Sequence, residues 1–316
     1  MMMDNKELDV SALINDGQKD NVEEDNSSKV GQQVTASDYN DSNRPAIIAF
    51  YGDAMNDGNV NELVDDIVPP VIVLIGFPGY GKSTFVSSLY HVVMCTGGIG
   101  KFKFLDSETL AGFERRSHIR NAEIVAKERL DRTPVYADYF LSMLFENTET
   151  GEHVKVVFSD RSGETYKWYA LRKGNLERDR ILPTDCHIVY FMDSKEIADD
   201  DNFYVLRDNL ENLSKRMKDK ELFSKNKTFE VVYNKSDELV TDNELKECFE
   251  GNKPEIEQIL ESYCTLEHNT MICSKNPLKN EKLIKFFETL IENCTSNRTQ
   301  NSEILKALNW VRIEKE

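Results

Sequence analysis

The stretch VIVLIGFPGYGKSTFVSSLY, residues 71–90, decides the fold of this chain. It opens with five apolar residues, 71–75, a short continuous run that is typical of a strand buried on both faces of a parallel sheet. Residues 76–83 then fit the pattern G-x-x-x-x-G-K-[ST], and a helix-like segment follows them. Because a strand precedes the glycine loop and a helix follows it, the sequence predicts a phosphate-binding loop (P-loop) here.

Each residue type in this loop has a chemical reason. Glycines allow backbone amides to turn inward around phosphate groups, and Lys82 is long enough to reach the β- and γ-phosphate oxygens. The Ser83 hydroxyl is a ligand type for Mg²⁺, and the Thr84 amide at the helix start is expected to face the α-phosphate. The predicted nucleotide contacts of the loop are Gly76, Gly79, Tyr80, Gly81, Lys82, Ser83 and Thr84.

Later apolar runs extend the same pattern. The first two of these runs are separated by NTETG, residues 147–151, which predicts a hairpin. The last three runs are separated by polar stretches with helical periodicity. This alternation predicts an α/β P-loop NTPase fold, a doubly wound, mostly parallel six-stranded sheet with one antiparallel edge strand. The runs are residues 139–146, 153–160, 187–193, 229–233 and 270–273.

Two further motifs follow predicted strands. In DRSG, residues 160–163, the Asp160 carboxylate is placed to hold Mg²⁺ through water, and the Gly163 amide to meet the γ-phosphate. In NKSD, residues 234–237, Asp237 is an acceptor for the N1–H and N2 amino groups of guanine, donors that adenine does not offer.

The remaining contacts expected with the base come from the same end of the sheet. The stem of Lys235 is expected to cover one face of the base, and Asn234 to tie its loop to the P-loop. After the last strand, Ser274 and Lys275 are placed to present backbone amides to guanine O6. Together these residues predict a site for GTP and GDP rather than for adenine nucleotides.

The order of these motifs resembles the Ras-like branch of the translation-factor-related (TRAFAC) GTPases over residues 70–295. The resemblance implies a switch threonine between the first helix and the antiparallel second strand, which closes on Mg²⁺ and the γ-phosphate. Thr133, in DRTP at residues 131–134, matches that place. The implied metal ligands are therefore Ser83, Thr133 and Asp160.

Finer features resemble the bacterial double-GTPase family, which is assigned to defence or other conflict systems. The segments that carry this resemblance are GFPGYGKST (76–84), FLDSETLAGFERR (104–116), RTP (132–134) and DRSGE (160–164). The resemblance implies a switch that an effector or regulatory protein reads.

Glu164 departs from the Ras-like pattern. Such enzymes have Gln after Asp-x-x-Gly to orient the attacking water, so hydrolysis is expected to be slow, with Lys82, Thr133 and Glu164 as the catalytic residues. Two alternatives stay open at this point: a GTP sensor that does not hydrolyse, and a P-loop kinase or ATPase. The segment before Thr133 is longer than in the minimal domain, which predicts an extra helix. Its basic residues are either a solvated helix face or, through Arg129 or Arg132, the source of an arginine finger in cis.

Composition and charge limit the partners and the location that the chain can have. The chain has 316 residues and a formal net charge of −17, which disfavours binding to nucleic acid or to anionic membranes. It has no apolar run long enough for a membrane span and no signal peptide pattern, so a cytoplasmic location is expected. The predicted segments are an acidic disordered tail (1–45), an N-terminal extension (46–70), the P-loop GTPase domain (71–295) and a C-terminal helical extension (296–316).

Overall fold

A computed structural model describes residues 52–56, 58–63, 69–121, 138–172, 176–184, 186–223 and 227–296. The strands are β1 (Val71–Ile75), β2 (Gly98–Ile99), β3 (Phe102–Asp106), β4 (Asp138–Asn147), β5 (His153–Arg161), β6 (Cys186–Asp193), β7 (Thr228–Asn234) and β8 (His268–Met271). The helices are α1 (Lys82–Thr96), α2 (Leu110–Asn121), α3 (Gly163–Leu171), α4 (Ser194–Ala198), α5 (Asp200–Asp219), α6 (Asp237–Val240), α7 (Asn243–Glu261) and α8 (Glu281–Ser296).

All eight strands belong to one sheet, in the order β2-β3-β4-β5-β1-β6-β7-β8. The pairs from β5 to β8 are parallel, whereas β4 is antiparallel to β5 and to β3, and β2 is antiparallel to β3. The α/β class with a mostly parallel sheet is thus confirmed. Among the described residues the sheet has eight strands rather than the predicted six, and the antiparallel strand β4 does not lie at its edge.

The two additional strands have a weak sequence pattern. β2 has two residues, and in β3 only Phe102 is buried, so neither forms the apolar run that marks the other strands. The central strands are the opposite case, because every residue of β1, β6 and β7 is buried. Their continuous apolar runs identify them from the sequence because both faces of this part of the sheet are covered.

Helix α5 shows why the helical segments form where they do. The Asp199 side chain caps its first turn by accepting hydrogen bonds from the amides of Asp201 and Asn202. Its apolar residues recur at helical spacing and point into the core. The buried apolar set on α5 is Phe203, Leu206, Leu210, Leu213 and Met217.

Strand β1 positions the P-loop. Val71 is paired with Val157 of β5 on one side and with Cys186 of β6 on the other, so β1 is central. The chain leaves β1 at Ile75, at the carboxyl edge of the sheet where the parallel strands β5, β6 and β7 also end. Ligands of open α/β sheets bind at this edge.

Two helices that the sequence predicted outside the central sheet are present in the structure. The expected extra helix before Thr133 is α2, and the last predicted helix, residues 278–294, is α8 preceded by a 3-10 turn at Pro277–Lys279. In the N-terminal extension, Met55 forms an isolated antiparallel bridge with Phe140 of β4. Several predicted parts lie outside the described residues: the tail (1–45), Arg129, Arg132, Thr133 and residues 297–316 of the C-terminal extension (296–316). Within the described part of the chain, none of the helices combines the length and apolarity that crossing a membrane requires.

Candidate nucleotide-binding site

The P-loop has the backbone geometry of an anion-binding turn. Gly79 and Gly81 have φ angles of 84° and 86°, in the left-handed region that favours glycine. Gly81 precedes α1 without any side-chain cap, so the first amides of this helix stay available to an anion. A Cβ on Gly76 would lie 2.8 Å from the Phe191 carbonyl oxygen, which fixes glycine at that position.

Tyr80 contributes backbone rather than side chain. Its ring is 1% exposed and packs edge-on against Phe77, with 5.7 Å between the ring centroids. Its carbonyl oxygen accepts a hydrogen bond of 2.9 Å from Asn234 Nδ2. The prediction that Tyr80 contacts nucleotide therefore concerns its amide, because the side chain is part of the core.

Lys82 is buried within the loop that it serves. Its Nζ donates hydrogen bonds to the carbonyl oxygens of Gly76 (2.7 Å) and Phe77 (3.2 Å). Burial lowers the pKa of Lys82 to about 8, although the charges of Asp160 and Glu164 oppose this shift. A phosphate group would replace weak carbonyl acceptors with anionic ones and favour the charged ammonium.

Ser83 and Asp160 lie side by side, as the metal prediction requires. Ser83 Oγ donates to Asp160 Oδ1 at 3.3 Å, and the Asp160 side chain is only 1% exposed. Hydroxyl and carboxylate oxygens are hard donors that suit Mg²⁺, which keeps water and phosphate oxygens as its other ligands. The described residues include no cluster of three or more His, Cys, Asp or Glu side chains that could hold a metal ion.

Gly163 brings the second motif against the P-loop. A Cβ at this position would lie 2.6 Å from the Phe77 carbonyl oxygen, so only glycine allows the two backbones to approach this closely. Ser162 caps helix α3 by accepting a hydrogen bond from the Glu164 amide. Glu164, in the first turn of α3, is half-buried, and its charge raises the pKa of Lys82.

Asn234 connects three loops at the other end of the site. Its Nδ2 donates to the Tyr80 carbonyl, and its Oδ1 accepts from the amide and hydroxyl of Ser274, at 3.2 and 3.0 Å. The side chain is 2% exposed, so these contacts fix the geometry of the base loops relative to the P-loop. The Ser274 amide already has Asn234 as its acceptor, a contact that the prediction of an amide directed at guanine O6 did not include.

Asp237 presents a hydrogen-bond acceptor at the same end of the site as Asn234. Its Oδ2 lies 3.1 Å from Lys275 Nζ, while Oδ1 is covered and has no hydrogen-bond partner among the described residues. Burial raises the pKa of Asp237, but the neighbouring Cys273 thiol and the Lys275 ammonium bring this pKa below its ordinary value. The carboxylate is therefore ionised at neutral pH and ready to accept a hydrogen bond.

Lys235 adopts an unusual backbone conformation, with φ at 62°. Its ammonium pairs with Asp193, the last residue of β6 and the N-cap of α4. This pair ties the NKSD loop to the end of β6. Asp193 was not predicted from the sequence as part of the site, because it reads as the end of a strand.

Arg116 is the other residue that sequence reasoning did not single out. Its Nε donates to Asp160 Oδ2 at 2.6 Å. The sequence showed a basic stretch that includes Arg116, and the arginines considered for catalysis were Arg129 and Arg132. In the described part of the site, Arg116 is the arginine that reaches Asp160.

A parallel sheet with a glycine loop at the end of its central strand defines the class of P-loop nucleotide-binding proteins. The model of the Double-GTPase 2 family matches residues 70–285, more than half of the chain. The chain therefore belongs to the Double-GTPase 2 family and is a P-loop GTPase.

Comparison with solved structures gives distant similarities to GTPases. In the signal recognition particle receptor SRb-GTP/SRX complex from Chaetomium thermophilum, one chain is 14% identical, with 71% of this chain and 99% of that chain covered and a TM-score of 0.36. The S. cerevisiae Ski7 GTPase-like domain bound to GTP is 14% identical, with 75% and 51% covered and a TM-score of 0.41. The same domain bound to GDP and inorganic phosphate is 12% identical, with 75% and 52% covered and a TM-score of 0.41. TM-scores of this size do not establish a common fold, so the family match carries the assignment. No protein of curated function matches the sequence.

Proposed function

We propose that this protein binds GTP and GDP with Mg²⁺, hydrolyses GTP slowly, and reports its nucleotide state to a partner protein. The observation that carries the proposal is the position of Asn234. Through hydrogen bonds to Tyr80 and Ser274 it joins the P-loop to both loops predicted to hold the base. Phosphate and base contacts thus belong to one continuous site.

Selectivity for guanine rests on Asp237. Its covered Oδ1 is an acceptor whose hydrogen-bonding capacity no described protein group uses. Leaving a covered carboxylate oxygen without a donor is unfavourable, and the N1–H or N2 amino group of guanine would supply one. Adenine presents an acceptor at its N1 and no amino group at position 2, so ATP would leave Asp237 unsatisfied.

Magnesium is proposed to bind at Ser83 and Asp160, with Thr133 as the switch ligand that the family resemblance implies. When bound, the ion would neutralise charge on the β- and γ-phosphates. Lys82 would add a second positive charge from the P-loop side. Glu164, in the first turn of the switch helix α3, is proposed to lie near the attacking water.

Coupling to a partner is proposed through α3, because this helix begins at Gly163 against the P-loop. Trp168 on α3 is half-buried, with the Arg172 guanidinium 4.1 Å from its ring centroid, whereas Tyr169 is buried in the core. A shift of Gly163 on binding of the γ-phosphate would move this surface. Membership of the TRAFAC class and a role in bacterial defence are proposed from resemblance.

The second candidate is a GTP sensor that does not hydrolyse. The observation that favours it is Glu164, a carboxylate close enough to Lys82 to affect its pKa, where Ras-like enzymes have an orienting amide. Phosphate release under single-turnover conditions separates the two candidates. Release that requires the protein and Mg²⁺ supports the enzyme, and tight GTP binding without release supports the sensor.

Competition binding tests the proposal as a whole. Unlabelled GTP, GDP and ATP are titrated against a fluorescent guanine nucleotide in the presence of Mg²⁺. We expect GTP and GDP to compete at concentrations at least about 100-fold lower than ATP, because the wrong base leaves Asp237 Oδ1 without a hydrogen-bond donor. Equal competition by ATP would show that the site is not selective for guanine and would favour a kinase or ATPase.

A further inference from the structure

Arg116 reaches the metal-binding part of the site from a helix that is firmly packed. On α2, a Cβ at Gly112 would lie 2.5 Å from the Ala54 amide nitrogen, so the helix packs tightly against the N-terminal segment. Phe113 stacks on Tyr90 of α1, with 5.7 Å between the ring centroids and 12° between the ring planes. Arg116 therefore projects from a fixed element.

The guanidinium of Arg116 is positioned by three contacts. Nε donates to Asp160 Oδ2 at 2.6 Å, and NH1 donates to the Gly112 carbonyl oxygen at 3.0 Å. The guanidinium carbon lies 5.7 Å from the ring centroid of Tyr139 on β4. The Arg116 side chain is 14% exposed and that of Asp160 1%, so this ion pair is largely shielded from water.

Both oxygens of Asp160 are thus engaged by groups of the protein. Oδ1 accepts from Ser83 and Oδ2 from Arg116. A buried carboxylate without a counter-charge is strongly unfavourable, and Arg116 supplies the positive charge that a metal ion would otherwise provide. Mg²⁺ with its bound water needs the same carboxylate as an acceptor, and two cationic groups on one carboxylate repel each other.

We propose that Arg116 is a built-in counter-ion of the metal site, which pairs with Asp160 when Mg²⁺ is absent and which Mg²⁺ displaces from Oδ2. This inference rests on the proposed function of the site. It makes Arg116 a positioning residue: it holds the Asp160 carboxylate in place before nucleotide binds, and it lowers the affinity for Mg²⁺. Because α2 carries Arg116, its release also couples metal binding to the insert that precedes the switch segment.

A purely structural role for Arg116 would predict something different. A salt bridge that only holds α2 on the sheet would contribute to thermal stability by the same amount with and without Mg²⁺. A counter-ion contributes mainly when the metal is absent. The dependence on Mg²⁺ therefore separates the two roles.

The neighbouring residue provides a matched control. Arg115 is on the same helix, carries the same charge and forms an ion pair with Asp53 at 3.0 Å, but its side chain is 57% exposed. Arg115→Gln changes the net charge as Arg116→Gln does. It leaves Asp160 untouched.

The experiment measures dissociation of a fluorescent GDP from the full chain as a function of free Mg²⁺, for wild type, Arg116→Gln, Arg116→Lys and Arg115→Gln. We expect Arg116→Gln to retain GDP at about tenfold lower Mg²⁺ than wild type, because the loss of one competing charge-assisted hydrogen bond is worth about one factor of ten. Arg116→Lys and Arg115→Gln should stay within about twofold of wild type, because both variants keep a positive charge at position 116 that competes with Mg²⁺. In parallel, Arg116→Gln should lower the thermal unfolding midpoint more in EDTA than with GDP and Mg²⁺.

The outcomes are distinct. An unchanged or increased Mg²⁺ requirement in Arg116→Gln, or equal destabilisation in EDTA and in Mg²⁺, would overturn the proposal. If Arg116→Gln does not fold, Arg116→Ala is measured in its place: a lower Mg²⁺ requirement than that of wild type supports the proposal, and an unchanged or higher requirement overturns it. Failure of wild type to bind the fluorescent GDP at all would instead contradict the proposed function.

Discussion

The base side and the phosphate side of the site are built in different ways. On the base side, the side chain that organises the loops is bonded to protein groups that nucleotide does not replace: Asn234 binds Tyr80 and Ser274. On the phosphate side, the charged groups are engaged by contacts that ligands would have to replace. Lys82 binds two carbonyls of its own loop, and Asp160 binds Arg116.

This difference predicts different energetics for the two halves. Binding of the base adds hydrogen bonds to an already ordered frame, so its contribution appears as selectivity. In the proposed site, binding of phosphate and Mg²⁺ would exchange internal contacts for stronger ionic ones, so its contribution would be a difference between two sets of charge-assisted bonds. Substitutions on the two sides should therefore have separable effects on affinity and on selectivity.

The largest effect is expected from Lys82→Ala. The change removes the positive charge that the P-loop offers to the phosphates, so affinity for GTP and GDP should fall by more than about 100-fold. The fold should survive, because the lysine donates only to carbonyls of its own loop. Fluorescent nucleotide titration measures affinity, and circular dichroism checks the fold. Wild-type affinity in this variant would contradict the P-loop assignment.

The matching test of the base side is Asp237→Asn. Because the substitution turns one acceptor oxygen into a donor, affinity for GTP should fall by about 100-fold. Affinity for XTP should rise, since xanthine has a second carbonyl where guanine has its amino group. Competition titrations with GTP and XTP measure the exchange. Asp242→Asn is the control, because Asp242 caps α7 through its side chain and Asn caps equally well.

The outcome on the base side has a clear alternative. If Asp237→Asn keeps full preference for GTP over XTP, guanine is recognised by other groups, and the frame around Asn234 would have another role. If affinity for both nucleotides falls equally, the substitution has disturbed the loop rather than its selectivity.

Much of this site follows from local sequence. The P-loop and NKSD motifs each occupy consecutive residues after a strand that is buried throughout, so their position in the fold is visible in the sequence. The ion pair between Arg116 and Asp160 is different, because its partners are 44 residues apart and Arg116 is one of several basic residues in its segment. A contact of this kind depends on how α2 packs, which no local pattern specifies.

The sheet shows the same limit of prediction from local sequence. Strands β6 and β7 are predictable because every residue is buried, whereas β3 has one buried side chain and lies near the edge, where pairing depends on the backbone of β4. Tyr80 illustrates the same limit of prediction within a motif. The P-loop pattern shows that position 80 belongs to the loop, but it does not show that the Tyr80 ring packs against Phe77. Backbone roles follow from motifs more directly than side-chain packing does.

A smaller effect, confined to the phosphate side, is expected from Gly163→Ala. The added methyl would lie 2.6 Å from the Phe77 carbonyl oxygen, so α3 and the P-loop must separate. We expect affinity for GTP to fall by about tenfold and affinity for GDP by less, because Gly163 is predicted to meet the γ-phosphate. Preference for GTP over ATP should not change.

The control for this prediction is Gly251→Ala. Gly251 lies inside α7, and a Cβ there would meet no atom within 4 Å. Alanine should therefore stabilise the helix by about 1 kcal/mol without affecting nucleotide binding. An equal loss of GTP and GDP affinity in Gly163→Ala would show that the close approach serves the fold of the P-loop rather than recognition of the γ-phosphate.

The smallest effect is expected from Glu164→Gln, and it bears on turnover rather than binding. Glu164 shares its surroundings with Lys82 in the first turn of α3, where an ionised carboxylate opposes the negative charge of the transferring phosphate. Phosphoryl transfer depends mainly on positioning and charge neutralisation, so the wild-type rate should be slow, on the order of 10⁻⁴ per second as in unassisted Ras. Glutamine removes the charge and offers both a donor and an acceptor to water, so turnover should rise about threefold with little change in GTP affinity.

Single-turnover phosphate release from wild type, Glu164→Gln and the distant control Glu177→Gln measures the effect of Glu164 on turnover. A large loss of rate in Glu164→Gln alone would show that the carboxylate is a general base that accepts the proton of the attacking water. The phosphate side would then carry a catalytic group of its own in place of the amide that Ras-like enzymes use.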